Sequence, residues 1–286
     1  MRIAGQLRIA ALLASLLLAG CALPRPAGEH LRRAEAAGFH REMVNADGFA
    51  LTMVQRVRDP QAPVRVYIEG DGRAWLDRHT VSDDPTPHRP LALQLAMADP
   101  SPNVAWLARP CQFSLAQSPA CRDAYWTDRR FSPEVVAAMG IALDQLSARS
   151  AGPLELVGYS GGAAIAVALA AQRKDVSLLV TVAGNLDSEA VNRAHRVDPM
   201  PASLNPIVFA PKLAVLPQRH LVGSSDIVIP ADVATAFVAA GGVRCAEVVS
   251  VDGAGHEVGW LAYSARYWRN HGPGEAPQPW LVGCAK

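Results

Sequence analysis

A glycine-flanked serine places the strongest constraint on how this chain can fold. The residues GYSGG at 158–162 follow a short apolar run, 154–157, and precede an alanine-rich stretch, 163–171. This order predicts a strand, a tight turn and a helix, with Ser160 at the corner. The flanking glycines are needed because a Cβ would clash where the backbone doubles back. The helix would direct its N-terminal N–H groups at the serine, which favours negative charge there.

Strands and helices are predicted to alternate along most of the chain. The predicted strands are 49–57, 64–68, 103–108, 154–157, 176–183, 219–222 and 245–251, and the predicted helices are 91–98, 133–147, 163–171, 231–239 and 257–268. This alternation predicts an α/β fold with a mostly parallel central sheet and helices on both faces. The proline-rich segment 188–216 is expected to be irregular and to form at most a small cap.

The bulk composition is that of a globular domain. The chain has 286 residues, 50% of them hydrophobic, which suits one domain with a large core. The formal net charge is only +1 and no basic run stands out. Nucleic acid is therefore not expected as a partner.

The first 20 residues have the pattern of an export signal. Arg2 and Arg8 precede an apolar run, 9–18, that is too short to span a bilayer stably. The tetrapeptide LAGC at 18–21 resembles a bacterial lipobox, which implies cleavage before Cys21 and lipidation of that cysteine.

We accordingly expect a signal peptide over 1–20, a lipidated tether over 21–40 with a short helix in it, and the globular domain over 41–286. Several acyl chains on Cys21 would give stable membrane anchoring. By the sorting rule of bacteria with two membranes, Ala22 after the cysteine implies the outer membrane, on its periplasmic or surface side. The alternative is an ordinary secreted protein with an incidental Cys21.

The other cysteines are consistent with an exported protein. Besides Cys21 there are four, an even number that favours two disulfides in an oxidising compartment. We favour a short-loop pairing, Cys111–Cys121, and a pairing of the last strand with the C-terminal tail, Cys245–Cys284. Free buried thiols are the alternative. No cysteine or histidine spacing indicates zinc, and no metal site is predicted.

Ser160 would need a base and an acid to act as a nucleophile, because a serine hydroxyl is weakly nucleophilic at neutral pH. The pentapeptide at 158–162, in its strand–turn–helix setting, resembles the nucleophile elbow of the α/β-hydrolase superfamily. The resemblance covers roughly 49–271. It implies an α/β-hydrolase fold in which the acid and then the base follow the serine, each on a loop at the end of a strand.

The two partners of Ser160 follow from the same resemblance. The segment GSSDIVIP at 223–230 resembles the superfamily's G-x-x-D-x-x-V-P loop, which implies that Asp226 is the acid. Asp187 is the runner-up and Asp252 a weaker third candidate. His256, in a glycine-rich loop after the last predicted strand, is the expected base.

The segment EGDG at 69–72 stands in the place of the superfamily loop that supplies one oxyanion N–H. We assign this donor to the Asp71 N–H, with Gly72 as the alternative. The second donor is expected to be the N–H of Gly161, directly after the serine. Glu69 stands where the superfamily often has histidine, and a plain glycine turn is the alternative interpretation of this loop.

The resemblance implies a serine hydrolase that acts on a small acyl substrate, by default a carboxylic ester, without a metal or an organic cofactor. This fold hosts many reactions, so two alternatives stay open. One is a non-catalytic envelope-binding lipoprotein, and the other is a peptidase or acyltransferase with the same triad. Trp75 and Trp126 are candidates for the walls of the substrate pocket, or for ordinary core packing.

Overall fold

The computed structural model describes residues 26–242 and 245–270. In this part of the chain, eight strands form one sheet. The strands are β1 (His40–Ala46), β2 (Phe49–Val57), β3 (Val64–Ile68), β4 (Asn103–Leu107), β5 (Leu154–Tyr159), β6 (Val176–Val182), β7 (Gln218–Gly223) and β8 (Ala246–Val251).

Seven α-helices accompany the sheet in the described residues. They are α1 (Pro26–Ala36), α2 (Leu91–Ala98), α3 (Pro133–Ser147), α4 (Gly161–Ala170), α5 (Ser188–His195), α6 (Asp232–Gly241) and α7 (Trp260–Asn270). Three 3₁₀ helices lie in the connections, at Leu115–Gln117, Asp123–Trp126 and Pro206–Leu213. None of the helices described is both long and apolar enough to cross a membrane.

The sheet has the order β1-β2-β4-β3-β5-β6-β7-β8. The first two pairings, β1 with β2 and β2 with β4, are antiparallel, and all others are parallel. The predicted fold class, a mostly parallel sheet with helices, is therefore confirmed. Strand β5 lies between β3 and β6, so the loops that follow these three strands meet at one edge of the sheet.

Helices cover both faces of the sheet and create two hydrophobic cores. One core holds side chains of α3, α4 and α6, and the other holds side chains of α1, α2 and α7. Because both faces are covered, the central strands are apolar along their length rather than alternating. Every residue of β4 is buried, for example.

Two parts of the fold differ from the sequence-based expectation. Strand β1 was not predicted, and it adds an antiparallel edge to the sheet. The segment 188–216 was expected to be irregular, but it contains α5 and the 3₁₀ helix Pro206–Leu213. Ala210 and Leu213 of that 3₁₀ helix are buried in the core. The prolines prevent this segment from forming a long α-helix. Its buried apolar side chains nevertheless fix it against the domain.

The N-terminal helix α1 lies within the stretch expected to be a tether. Its Leu31 and Ala34 are buried against the core that contains α2 and α7. A short helix was expected here, but its packing on the domain was not. Residues 1–25, which include the predicted signal peptide and Cys21, lie outside the described residues.

A disulfide joins Cys111 and Cys121, with a Cα–Cα distance of 5.7 Å, as predicted. It closes a loop in the long connection between β4 and α3. The second predicted pairing joins Cys245 to Cys284, and Cys284 lies outside the described residues.

Candidate active site

Ser160 occupies a strained turn between β5 and α4. Its backbone angles are φ 51° and ψ −121°, a region that L-residues rarely adopt. A Cβ at Gly158 would lie 2.4 Å from the Cα of Ala163, and one at Gly162 would lie 2.3 Å from the carbonyl oxygen of Ile68. Both contacts are too short for a methyl group, so glycine is required on each side of the corner.

Three of the predicted site residues form a chain in which His256 lies within hydrogen-bond distance of both others. His256 Nε2 is 3.0 Å from Ser160 Oγ, and His256 Nδ1 is 3.0 Å from Asp226 Oδ2. Ser160 follows β5, Asp226 follows β7 and His256 follows β8, so parallel strands deliver all three to the same edge. The imidazole thus bridges a hydroxyl and a carboxylate.

The Asp226 carboxylate is held in place by its own loop. Its Oδ1 accepts hydrogen bonds from the backbone N–H groups of Val228 at 2.8 Å and Ile229 at 3.0 Å. Its side chain is 1% exposed. Burial raises the pKa of Asp226, but the hydrogen bonds from His256 and the two backbone N–H groups lower it by more than burial raises it. The pKa is therefore below its ordinary value. The carboxylate is therefore charged at neutral pH.

The loop that carries His256 is fixed through its backbone carbonyl. That oxygen accepts a hydrogen bond from Tyr159 Oη at 3.2 Å and another from Trp260 Nε1 at 2.9 Å. Tyr159 directly precedes Ser160, and its ring lies 5.4 Å from the imidazole, centroid to centroid. One aromatic residue therefore connects the serine turn to the histidine loop.

The two alternative acids occupy other positions. Asp187 caps helix α5, where its Oδ1 accepts from the Ala190 N–H at 3.1 Å and from Asn205 Nδ2 at 2.9 Å. Asp252 lies on the turn after β8, within 3.5 Å of the Ser224 hydroxyl. Both carboxylates thus contact groups other than the imidazole.

The predicted oxyanion donors lie on neighbouring segments. A Cβ at Gly161 would lie 1.9 Å from Asp71 Oδ1, so the loop after β3 packs directly against the serine turn. Within the described part of the chain, neither the Asp71 nor the Gly161 backbone N–H donates to a protein group. The assignment of these two N–H groups as oxyanion donors stays a prediction, as does the alternative at Gly72, whose φ is +69°.

Glu69 anchors this loop through a buried carboxylate, a role that was not predicted. It accepts four hydrogen bonds: from the N–H groups of Gly70 at 3.1 Å, Ala92 at 3.3 Å and Leu93 at 3.3 Å, and from Trp106 Nε1 at 2.9 Å. Burial raises the pKa of Glu69, and these hydrogen bonds oppose that shift. The loop is thereby tied to β4 and to the first turn of α2.

Two arginines share the Asp71 carboxylate. Arg109 Nη1 lies 3.2 Å from Oδ1, and Arg130 Nε lies 3.3 Å from Oδ2. Arg109 also donates to the carbonyl oxygen of Arg130, and both guanidinium groups lie over the ring of Phe131. The sequence showed Asp71 only as a backbone donor, because its ion-pair partners are 38 or more positions away.

An open cleft of about 580 Å³ surrounds Ser160 and His256. Trp75 lines it, as anticipated for a pocket wall, and is 44% exposed. Trp126 instead packs in the core and donates from Nε1 to the Ser82 carbonyl. Among the described residues, no group of three or more His, Cys, Asp or Glu side chains could hold a metal ion.

Comparisons with known proteins agree with this geometry at the level of the fold. No protein-family model and no curated protein matches the chain. Three similar solved structures are Est1E from Butyrivibrio proteoclasticus (TM-score 0.56, 13% identity), an alpha-beta serine hydrolase homologue from Coxiella burnetii (0.54, 16%) and an esterase domain from Rhodothermus marinus (0.56, 14%).

These likenesses extend over most of each molecule. They cover 80–82% of this chain and 96% of each of the three structures. At such low identity the likeness concerns the architecture. The chain therefore has the α/β-hydrolase fold.

Proposed function

We propose that this protein is a serine hydrolase that cleaves carboxylic esters through an acyl-enzyme. The observation that carries the proposal is the continuous chain of hydrogen bonds from Ser160 Oγ through His256 to Asp226. A serine at a strained turn, an imidazole as its base and an orienting carboxylate are the parts that acyl transfer needs.

In the proposed reaction, Ser160 Oγ attacks the ester carbonyl carbon while its proton moves to His256 Nε2. Asp226 accepts from Nδ1, which fixes the tautomer and stabilises the imidazolium. The tetrahedral intermediate collapses, the C–O bond to the alcohol breaks, and the alcohol leaves with the proton from Nε2. Water then attacks the acyl-serine, gives a proton to Nε2, and releases the carboxylic acid and free Ser160.

The tetrahedral oxygen carries a negative charge that the protein must stabilise. The N–H groups of Asp71 and Gly161, with the positive end of α4 behind Gly161, would supply this stabilisation. Each such donor contributes about 3–4 kcal/mol to transition-state binding in enzymes where it has been measured. Arg109 and Arg130 compensate the charge that the Asp71 side chain brings to the same place.

We further propose that the enzyme acts outside the cytoplasm, anchored to the cell envelope through lipid on Cys21. The lipobox-like LAGC and the preceding apolar run support this proposal. The Cys111–Cys121 disulfide is also typical of exported proteins.

Labelling with a fluorophosphonate probe tests the function. We expect the purified wild type to be labelled and to hydrolyse p-nitrophenyl esters. Ser160→Ala should abolish labelling and lower kcat by at least about 10³-fold, because the nucleophile is lost. Ser177→Ala, a change of an exposed serine at the start of β6, the end away from the site, is the control and should be labelled like the wild type. An unlabelled wild type, or equal labelling of Ser160→Ala, would contradict the proposal.

A further inference from the structure

We propose that the cleft beside Ser160 binds a carboxylate carried by the substrate, and that Arg130 is its main contact. The preferred substrates are then anionic esters, such as half-esters of dicarboxylic acids. The inference rests on the proposed function for the role of Ser160, but the anion site itself is argued from the arginines of the cleft.

Arg130 is a largely buried cation with unused donors. Its side chain is 16% exposed, it lines the cleft, and its one ion pair with a described residue runs from Nε to Asp71. A guanidinium has five N–H donors, and of the Arg130 nitrogens Nε is buried whereas the two terminal ones are accessible. Within the described part of the chain, the terminal nitrogens of Arg130 donate to no protein group. A ligand carboxylate could complete these bonds in a bidentate manner.

The net charge around Asp71 is positive, which favours the binding of an anion. One carboxylate there faces two guanidinium groups, from Arg109 and Arg130, which leaves one net positive charge. Arg109 is more deeply buried and is further bound to the Arg130 carbonyl. The uncompensated charge is therefore presented to the cleft by Arg130, whose guanidinium is held over Phe131.

Two further arginines line the same cleft. Arg73 and Arg89 are exposed, and neither forms an ion pair with any described residue. Two other carboxyl groups line the cleft, but Glu69 is buried and bound to N–H groups, and Glu257 forms no ion pair with a described residue. The free cations would therefore attract an anionic substrate and raise its local concentration.

Matched ester pairs test this inference. One pair is mono-p-nitrophenyl glutarate and its neutral methyl ester, with the carboxylate on the acyl side. The other is 4-carboxyphenyl butyrate and its methyl ester, with the carboxylate on the alcohol side. We expect kcat/KM to favour the anionic member of at least one pair about tenfold or more. Raising the salt concentration should reduce this preference.

Arg130→Gln should lower the preference for the anionic ester about 10- to 100-fold, mainly through KM, because a charge-assisted hydrogen bond is lost. Arg129→Gln is the matched control: this neighbouring arginine pairs with Glu134 and does not line the cleft, so the wild-type preference should remain. Arg73→Gln and Arg89→Gln change exposed residues and should each lower the preference about threefold. They keep the test informative if Arg130→Gln does not fold.

Binding of glutarate to Ser160→Ala, measured by calorimetry, separates this inference from the proposed function. Glutarate binding that is lost in the Ser160→Ala/Arg130→Gln double variant supports the site, even if no ester is hydrolysed. Equal kcat/KM for the anionic and neutral members of both pairs, together with no glutarate binding, would overturn the inference. The proposed function would then still stand.

Discussion

Asp71 places a carboxylate beside the backbone that would hold the reacting oxygen. Alone, that charge would oppose the development of an oxyanion a few ångströms away. The two arginines bound to its oxygens make the local net charge positive. The Asp71 side chain can therefore hold the loop in place without opposing an oxyanion. A motif search detects the Asp71 position but not this charge balance, which depends on residues from a different loop.

Glu69 is expected to act as a positioning residue for the same loop. Glu69→Gln keeps the shape but turns an amide N–H₂ towards groups that are themselves donors. The loop should shift, and kcat should fall about 10- to 100-fold with little change in KM, because small misplacements of catalytic groups are costly. Steady-state kinetics on a p-nitrophenyl ester, together with thermal unfolding, checks this expectation.

Asp99→Asn provides the control for Glu69. Asp99 is another buried carboxylate, bound to Arg65 and Tyr67. Its loss should lower the thermal unfolding temperature without changing kcat of the folded enzyme. Equal kcat values for wild type and Glu69→Gln would show that Glu69 only stabilises the fold.

At the scale of single residues, the sequence predicted the site residues that lie within short sequence motifs. Ser160, Asp226 and His256 each lie in a short motif, and the structure brings the three within bonding distance. Glu69 could not be interpreted in the same way, because its partners Ala92 and Trp106 are 23 and 37 positions away. Only the packing of a strand and a helix creates that cradle.

Among the elements, local sequence patterns identified the central strands but did not identify β1, one of the two edge strands. The central strands are continuously apolar and easy to recognise, whereas β1 reads HREMVNA, with charged residues and an exposed Met43. Such a composition is typical of an edge strand, where polar side chains discourage pairing with other chains. The packing of α1 was equally hidden, because over residues 28–36 of that polar helix only Leu31 and Ala34 are buried in the core.

His220 connects three elements and should make stability depend on pH. It lies in β7, its Nδ1 is 2.9 Å from Thr181 Oγ1 of β6, and its ring packs edge-on against Phe237 of α6. Burial lowers the pKa of His220 from 6.5 to about 4. The His220 imidazole therefore stays neutral in the folded protein, whereas in the unfolded chain it takes up a proton. The stability that the neutral imidazole contributes is present above pH 6.5 and is lost as the pH falls towards 4.

We expect this group to remove about 3 kcal/mol from the free energy of unfolding between pH 6.5 and 4. His220→Gln, which cannot take up the proton, should lose less stability over that interval than the wild type. Urea unfolding at several pH values measures the difference, and His88→Gln, a change of an exposed histidine, should behave like the wild type. Parallel pH profiles for wild type and His220→Gln would contradict the assignment.

For the whole molecule, the proposed lipid anchor on Cys21 would decide where the proposed activity takes place. We expect the full-length chain, expressed in a bacterium with two membranes, to fractionate with the membranes. Cys21→Ala should no longer be lipidated and should be recovered in soluble form with the same specific activity, because Cys21 precedes the folded domain. Immunoblots and ester hydrolysis of both fractions provide the measurement. Identical fractionation of the two chains would argue against a lipid anchor.

The distribution of the site along the chain has a consequence for biosynthesis. Ser160 and His256 are 96 positions apart, and the histidine loop follows β8, the last strand in chain order within residues 26–270. A chain that is still being synthesised or translocated holds the proposed nucleophile without its base. If the proposed function is right, ester cleavage begins only once β8 is in place, and unfinished chains are harmless to the acyl esters of the cell that makes them.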